Sequence, residues 1–204
     1  MQVTLLNHTP LNVCAKAIRT CWQSFDKSDN GGKKDKELID RVGNKFKHGS
    51  TLEHLVYSFY IKGVSRALLQ ELARHRMASL SVKSTRYTLK ELKNEEPFLL
   101  HDIKRAAKYL VMTDEKLVNE MSIKALENLR ILLKQGISND KAKYALPESY
   151  KTELTWTINA RSLQNFLSLR SDKSALWEIR KLAKDIYDSL PDHHKYLYTN
   201  FIHF

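Results

Sequence analysis

A basic, hydroxyl-rich segment, ARHRMASLSVKSTRY, occupies residues 73–87 and is the part of the sequence best equipped to bind an anion. It opens with Arg74, His75 and Arg76, and Ser84 follows after seven further residues. Guanidinium groups bind phosphate through paired hydrogen bonds, and hydroxyls and backbone N–H groups complete such sites. These residues predict a phosphate or nucleotide site. A solvated basic loop and a nucleic-acid-binding surface stay open as alternatives.

A second group of polar residues lies in NARSLQNFLSLR, residues 159–170. On a helix, Arg161 and Asn165 are four residues apart and share a face, and Phe166 and Arg170 share the neighbouring face. Asn offers a donor and an acceptor whereas Arg offers donors only, so together they can recognise the edge of a base or ring. A surface helix with scattered polar residues is the alternative.

A third segment, KHGSTLEHL at residues 47–55, contains the residue types of a metal site in His48, Glu53 and His54. Their spacing is not that of the HExxH zinc helix and no fourth ligand is evident, so we predict no metal. Glu53 and His54 are expected to be hydrogen-bonding partners instead.

The two cysteines, Cys14 and Cys21, are seven residues apart in one predicted helix. They are then two turns apart, which is beyond the reach of a disulfide, and their spacing fits no zinc pattern. We expect both to be small core residues.

The composition is that of a globular protein, with 204 residues of which 42% are hydrophobic and 28% charged. The length predicts a single domain, residues 1–204, with two small domains as the alternative. No apolar run approaches the roughly 18 residues of a membrane span, and the N-terminus lacks a signal-peptide pattern, so we expect a cytoplasmic protein with no membrane partner. The net charge of +11 favours anionic ligands, from small phosphorylated molecules to nucleic acid.

The elements that must position these residues are mostly helices with a few separated strands, which predicts an α+β fold of mixed helices around a small sheet. Strands are predicted within residues 1–7, 52–63 and 151–158. Helices are predicted at residues 11–23, 36–49, 65–76, 101–135 with a break near Thr113, 139–144, 159–170 and 174–190. Ser65 is the predicted N-cap of the helix at 65–76, and residues 74–76 are predicted to close its C-terminal end.

Three blocks of the sequence together resemble the flavin-dependent thymidylate synthase family. RHR followed by seven residues and Ser, with Arg86 close behind, resembles the family signature. HGSTLEH resembles its upstream His-x-Ser/Thr-x-x-Glu-His element, and NARSLQNFLSLR, followed by ALWEIR, resembles its downstream helix. The three blocks occur in the family's order, and the resemblance extends from about residue 45 to residue 190.

The resemblance implies a homotetramer with active sites where subunits meet, and FAD as the cofactor. The implied reaction is the reductive methylation of dUMP to dTMP, with 5,10-methylenetetrahydrofolate giving the carbon and NADPH the reducing equivalents. All these ligands are anionic, which agrees with the net charge of +11. A basic nucleic-acid-binding module is the alternative function, although the sequence has no recognisable RNA- or DNA-binding motif.

The resemblance also implies roles for individual residues. Arg170 matches the arginine that faces the uracil ring and favours its ionisation at N3, a role that suits a permanently charged guanidinium. The positions that contact dUMP are Glu71, Arg74, Val82, Lys83, Ser84, Thr85, Arg86, Lys143 and Arg170. The positions that contact FAD are Ser50, Arg74, His75, Arg76, Asn159, Arg161 and Asn165.

No residue of the three blocks is expected to act as a nucleophile. Ser84 is assigned to phosphate binding because no base is paired with it in the sequence. Both cysteines lie outside the blocks, which argues against the cysteine nucleophile of the classical, unrelated thymidylate synthase. An activated uracil can react at C5 without a covalent bond to the enzyme.

Three positions depart from the family pattern. Val82 stands where many relatives have Glu or Gln, Lys143 where they often have Arg, and Ser174 where some have His. Lysine at position 143 keeps the positive charge but loses the planar fork of donors, which predicts weaker or differently arranged nucleotide contacts. Ser174 is left out of the flavin contacts.

Overall fold

The computed structural model describes residues 1–204. It combines helices with one small sheet, which confirms the predicted α+β class. The strands are β1 (Gln2–His8), β2 (Val56–Ser65), β3 (Ala78–Val82) and β4 (Lys151–Asn159). The α-helices are α1 (Leu11–Thr20), α2 (Lys33–Ile39), α3 (Arg66–Leu72), α4 (Thr85–Thr88), α5 (Ile103–Ala106), α6 (Lys116–Lys134), α7 (Asn139–Ala142), α8 (Ala160–Arg170) and α9 (Trp177–Ser189). None of these helices has the length and hydrophobicity that a membrane span requires.

The four strands form one antiparallel sheet in the order β1-β2-β4-β3. In the central pair, Ser58 of β2 lies opposite Thr157 of β4, with their hydroxyl oxygens 2.9 Å apart. Side chains alternate along β4 between buried and half-buried positions. The buried residues of β4 are Thr152, Leu154, Trp156 and Ile158. This period of two determines which face of β4 enters the core. It thereby positions Asn159, the last residue of β4, from which the next helix starts.

The chain divides into two compact units. The first unit consists of Met1–Ile61, Glu71–Ser81 and Thr155–Phe204, and the second of Lys62–Gln70 and Val82–Leu154. Trp156, Tyr57 and Phe166 are among the largest fully buried side chains of the first unit. The second unit has a core of its own, which includes Leu89, Leu92, Phe98, Leu110, Ile123, Leu126, Leu129 and Leu133. The expectation of a single domain for residues 1–204 stays a prediction.

Helix α3 is confirmed together with its cap, because Ser65 Oγ accepts a hydrogen bond from the backbone N–H of Leu68 at 3.0 Å. The prediction that residues 74–76 close this helix is wrong, since α3 ends at Leu72. The apolar period stops there. In the RHR motif (residues 74–76), the backbone N–H of Arg74 donates to the carbonyl of Glu71 and that of His75 to the carbonyl of Leu72. Both carbonyls belong to the last turn of α3. The motif therefore lies in the turn that leads to β3.

Three local features differ from the sequence-based expectations. Strand β3 was not predicted, because ASLSV is rich in small polar residues; it occupies an edge of the sheet and pairs only with β4. Residues Gly49–His54 form a 3₁₀ helix, so the predicted strand at 52–63 begins only at Val56. Cys14 is buried as expected, but Cys21 is exposed because α1 ends before it.

Candidate active site

Helix α8 presents the polar residues of the NARSLQNFLSLR block. Asn159 is its N-cap, and Asn159 Oδ1 accepts a hydrogen bond from the backbone N–H of Ser162 at 2.9 Å. This bond satisfies one of the donors that the start of a helix leaves free. The buried residues that anchor α8 are Ala160, Leu163, Gln164, Phe166 and Leu167. With the helix rotation fixed in this way, Arg161 and Asn165 lie on its exposed side.

Arg170, the last residue of α8, is held by three hydrogen bonds. Its Nη1 donates to Glu71 Oε2 at 2.8 Å and its Nη2 to the backbone carbonyl of Glu71 at 3.3 Å. Its Nε donates to His75 Nε2 at 3.0 Å. The Arg170 side chain is only 15% exposed. The guanidinium is therefore fixed in one orientation before any ligand is bound.

His75 is a buried, neutral acceptor for Arg170. Because an arginine Nε can only donate, His75 Nε2 accepts and the proton of the neutral ring lies on Nδ1. Burial, and then the positive charges of Arg170 and Arg74, lower the pKa of His75 to about 4. The ring also makes an edge contact with Phe166, at a centroid distance of 5.0 Å. At neutral pH the imidazole thus orients Arg170 without adding a second positive charge.

An open cavity of about 900 Å³ lies against Arg170 and the RHR motif. The predicted site residues that line it are Arg74, His75, Arg76, Arg161, Asn165 and Arg170. Four of these six are arginines, and Glu53 is the one carboxylate among the lining residues. A concave site with this charge is suited to a ligand that carries phosphate groups.

The HGSTLEH block shapes one wall of the cavity through Arg161. Glu53, expected to be a hydrogen-bonding partner, accepts a bond from Arg161 Nη1 at 2.8 Å. A Cβ atom at Gly49 would lie 3.0 Å from Arg161 Nε and 3.2 Å from its Cδ. The absence of a side chain at Gly49 therefore lets Arg161 pack closely against the 3₁₀ segment.

Three predicted residues of the first unit do not line this cavity. Ser50 is exposed in the 3₁₀ segment Gly49–His54. Asn159 uses its side-chain oxygen to cap α8. Glu71 contacts Arg170 and also lies 3.9 Å from Arg74 Nη1. Asn159 and Glu71 thus each contact a lining residue directly, Ser162 and Arg170 respectively.

The remaining predicted residues belong to the second unit, and none of them lines this cavity. They are Val82, Lys83, Ser84, Thr85, Arg86 and Lys143. Arg86 is exposed, and its Nε donates to Asp140 Oδ1 at 2.6 Å. This bond to Asp140 raises the pKa of Arg86, so the guanidinium stays charged.

The side chain of Ser84 makes no capping hydrogen bond, whereas the amine of Lys83 lies near two carboxylates. Ser84 precedes the short helix α4, but its side chain makes no capping hydrogen bond. Lys83 Nζ lies 3.4 Å from Glu91 Oε1 and 3.8 Å from Glu153 Oε1. Val82 is exposed at the end of β3, and Lys143 starts a 3₁₀ turn after α7.

Several lining residues were not assigned from the sequence. Ser162 and Leu169 share a face of α8 with Arg161 and Asn165, so the helical spacing of three and four residues could have identified them. Ser174, which the sequence analysis leaves out of the flavin contacts, lines the cavity as well. Met77 and Ala175 also line it, and no pattern in the sequence indicated them.

Comparisons with known proteins agree with this arrangement. A sequence model of the family described as "Thymidylate synthase complementing protein" matches residues 4–194. The flavin-dependent thymidylate synthase of Wolinella succinogenes is 73% identical over 198 residues, which are 97% of this chain and 97% of the relative. That of Campylobacter jejuni is 67% identical over 203 residues, which are 100% of this chain and 98% of the relative.

A solved structure gives the same result. The crystal structure of the flavin-dependent thymidylate synthase from Helicobacter pylori, complexed with FAD and dUMP, matches this chain with a TM-score of 0.96 and 60% sequence identity. The match covers 100% of both chains. The resemblance predicted from the three sequence blocks is thereby confirmed, and the chain belongs to the thymidylate synthase complementing protein family, the flavin-dependent thymidylate synthases.

Proposed function

We propose that this protein is a thymidylate synthase that converts dUMP to dTMP by reductive methylation. 5,10-Methylenetetrahydrofolate provides the carbon, and NADPH provides reducing equivalents through bound FAD. The observation that carries the proposal is the guanidinium of Arg170, fixed by Glu71 and His75 beside a cavity with three further arginines. Five relatives with this enzyme name share 60% to 73% identity with this chain over 97% to 100% of its length. The alternative of a nucleic-acid-binding module has no support from these relatives.

The donors that line the cavity fit FAD by their chemistry. Arg74, Arg76 and Arg161 can donate paired hydrogen bonds to a pyrophosphate, and Asn165 offers both a donor and an acceptor to a ring edge. We assign FAD binding to Ser50, Arg74, His75, Arg76, Asn159, Arg161 and Asn165. When bound, FAD supplies the redox chemistry by accepting the reducing equivalents of NADPH.

The phosphate of dUMP is assigned to Ser84, which closes the RHR-plus-seven-residues-plus-Ser signature, and to Arg86, two residues after it. Arg86 is exposed, and Ser84 has a hydroxyl that is not used in capping, so both can turn to a phosphate. Arg86 must then exchange Asp140 for the ligand. At Val82 only the backbone is assigned to this contact. The full set that we assign to dUMP is Glu71, Arg74, Val82, Lys83, Ser84, Thr85, Arg86, Lys143 and Arg170.

Arg170 is the residue to which we assign catalysis. A uracil that loses its N3 proton is electron-rich at C5 and can attack the carbon donor. A fixed guanidinium stabilises this developing anion, and it does so best where little water competes. Glu71 and His75 provide the fixation, and a neutral His75 leaves the positive charge to Arg170 itself.

No side chain is assigned as a nucleophile. Burial raises the pKa of the Cys14 thiol to about 12, and Cys14 Sγ donates a hydrogen bond to the carbonyl of Thr51 at 3.2 Å. The reactive form of cysteine is the thiolate, which Cys14 does not form at neutral pH. This supports a reaction in which uracil is activated by charge instead of by a covalent bond to the enzyme.

The assembly that we propose is a homotetramer with an active site at each subunit interface, formed by one 204-residue domain per chain in the cytoplasm. The open shape of the cavity supports completion by another subunit. Large exposed aromatic side chains support it too, since Trp22 is 86% and Tyr144 is 89% exposed. Such residues are enriched at protein–protein interfaces.

The deciding experiment is dTMP formation by the purified protein. The reaction contains dUMP, 5,10-methylenetetrahydrofolate and NADPH, and the protein is either loaded with FAD or stripped of it. We expect dTMP only from the FAD-loaded protein, and a rate lower by at least about 100-fold from a loaded Arg170→Ala variant. A bound flavin without dTMP would leave a flavoprotein of another function, and no flavin binding at all would refute the proposal.

A further inference from the structure

Three histidines form a cluster outside the candidate active site. His8 is the last residue of β1, and His193 and His194 lie in the 3₁₀ segment Asp192–Leu197 that follows α9. One ring nitrogen of each histidine lies within 4.8 Å of those of the other two. None of the three lines the cavity beside Arg170, and the proposed reaction uses none of them.

His194 has a buried ring nitrogen with nothing bound to it. The residue is fully buried, and its Nδ1 lies 2.8 Å from the hydroxyl of Tyr57. Its Nε2 is buried as well and has no hydrogen-bond partner. Buried polar atoms are nearly always paired, so an orphaned nitrogen needs an explanation. If Nδ1 donates its proton to the Tyr57 oxygen, the lone pair on Nε2 is available to a ligand, as in most metal-binding histidines.

We propose that His8, His193 and His194 form a site for one divalent transition-metal ion of the zinc class. Three imidazoles and one water are a common tetrahedral zinc environment, and imidazole suits Zn²⁺, Co²⁺, Ni²⁺ and Cu²⁺ better than Mg²⁺ or Ca²⁺. The rings already converge, with centroids 4.5, 5.1 and 6.1 Å apart. Metal–nitrogen bonds of roughly 2.0–2.1 Å require nitrogens roughly 3.3 Å apart. Binding would require the rings of His193, which is exposed, and His8, which is half-buried, to rotate until the nitrogens reach this spacing from their present separations of up to 4.8 Å.

A metal ion here would join the end of the N-terminal strand β1 to the chain that follows α9. These ligands come together only in the folded chain, so binding would stabilise the fold by mass action. The nearby positive charge of Lys36 opposes a cation, and three histidines leave the fourth position of a tetrahedral site to water. We therefore expect an affinity in the micromolar range and not that of a closed four-ligand structural site.

The test uses the untagged full-length protein, treated with EDTA and dialysed. Calorimetric titration with ZnCl2 should show one ion per chain, and the melting temperature should rise with Zn²⁺ concentration. Titration with Co²⁺ should give the visible d–d bands of a tetrahedral site. His193→Gln and His8→Gln should each weaken Zn²⁺ binding at least about tenfold. His101→Gln, an exposed histidine outside the cluster, is the matched control and should bind as the unchanged protein does.

His193 is exposed, so its replacement does not disturb the core, and circular dichroism of both variants will verify the fold. An EDTA-treated protein that takes up no Zn²⁺ would overturn the proposal. So would binding of equal affinity in His193→Gln, because the ion would then lie elsewhere. Neither result depends on dTMP formation, so the proposal can fail or stand independently of the proposed enzyme activity.

Discussion

Arg170 and Glu71 are joined twice, once from Nη1 to the carboxylate at 2.8 Å and once from Nη2 to the backbone carbonyl at 3.3 Å. The two residues are 99 positions apart, so the contact ties the end of α8 to the last turn of α3. A cation that is already oriented does not have to be reorganised when charge develops on a substrate. The pair thus prepares Arg170 for the role that we propose.

Arg170→Ala should abolish most dTMP formation while the protein still folds and holds FAD. Removing one preorganised stabilising group from a catalytic site typically lowers kcat by about 10²–10³-fold. Arg170→Lys keeps the positive charge but loses the planar guanidinium that bonds Glu71 and His75 at the same time. We expect its turnover number to lie between those of the unchanged protein and of Arg170→Ala. The measurement is the turnover number of each variant. The FAD content and the circular dichroism spectrum verify that each variant still binds the cofactor and folds. Near-normal turnover in the alanine variant would remove Arg170 from the mechanism.

His75 should make the protein less stable in acid. Its pKa is about 4 in the fold against 6.5 ordinarily, so the unfolded chain takes up the proton first as the pH falls. The resulting stability loss begins near pH 6.5 and is complete below about pH 4, with a size of about 3 kcal/mol.

His75→Gln removes this component, so its free energy of unfolding should change less between pH 7 and pH 4.5 than that of the unchanged protein. Urea denaturation at both pH values measures the difference. His101→Gln, at an exposed position, is the control and should keep the original pH dependence. An unaltered dependence in His75→Gln would mean that His75 titrates normally.

Asp140→Asn should lower the KM for dUMP a few-fold. Asp140 holds Arg86 through bonds of 2.6 and 3.4 Å, and a phosphate must displace it. The pair is more than half exposed on both sides, so its loss should hardly affect stability. Steady-state kinetics with varied dUMP concentration will measure the KM. Arg86→Ala removes the phosphate contact itself and should raise the KM for dUMP. A KM that is unchanged in Arg86→Ala would contradict the phosphate assignment.

Gly49→Ala should weaken FAD binding without unfolding the protein. The added Cβ would press on Arg161 Nε and Cδ at 3.0 and 3.2 Å and displace a flexible side chain that pairs with Glu53. We expect a smaller loss of FAD affinity than in Arg161→Ala, since the displaced arginine keeps its charge. Fluorescence titration with FAD compares the two. An affinity equal to that of the unchanged protein would show that the position of Arg161 is not critical.

Elements that depend on nearby residues, such as helix α8, were predictable from the sequence, whereas elements that depend on distant residues were not. Helix α8 was found from its periodicity, and Asn159 caps it as N-cap chemistry favours. Strand β3 was missed because an edge strand of small polar residues owes its pairing to β4, which lies far away in the sequence. The apolar period of α3 ends at Leu72, but the basic residues that follow also suit a helix C-terminus, so the sequence analysis extends the helix to residue 76.

The candidate site was predictable by residue type but not by arrangement. Family motifs selected Arg74, His75, Arg161 and Arg170, and the structure brings these four to one cavity. The bond from Arg170 to His75, which are 95 positions apart, has no local signature. The histidine cluster is the clearest case, because no sequence window contains both ends of the chain.

The length of helix α8 fixes the distance between Asn159 and Arg170. Asn159 pins its first turn, and Arg170 is its last residue, so eleven residues at about 1.5 Å each set a separation of roughly 16 Å between the two ends. One residue inserted between Asn165 and Arg170 would turn the guanidinium by about 100° and carry it away from its two partners. An insertion or deletion within α8 should therefore be tolerated far less than a substitution of Ser168, a half-buried residue of this helix that does not line the cavity.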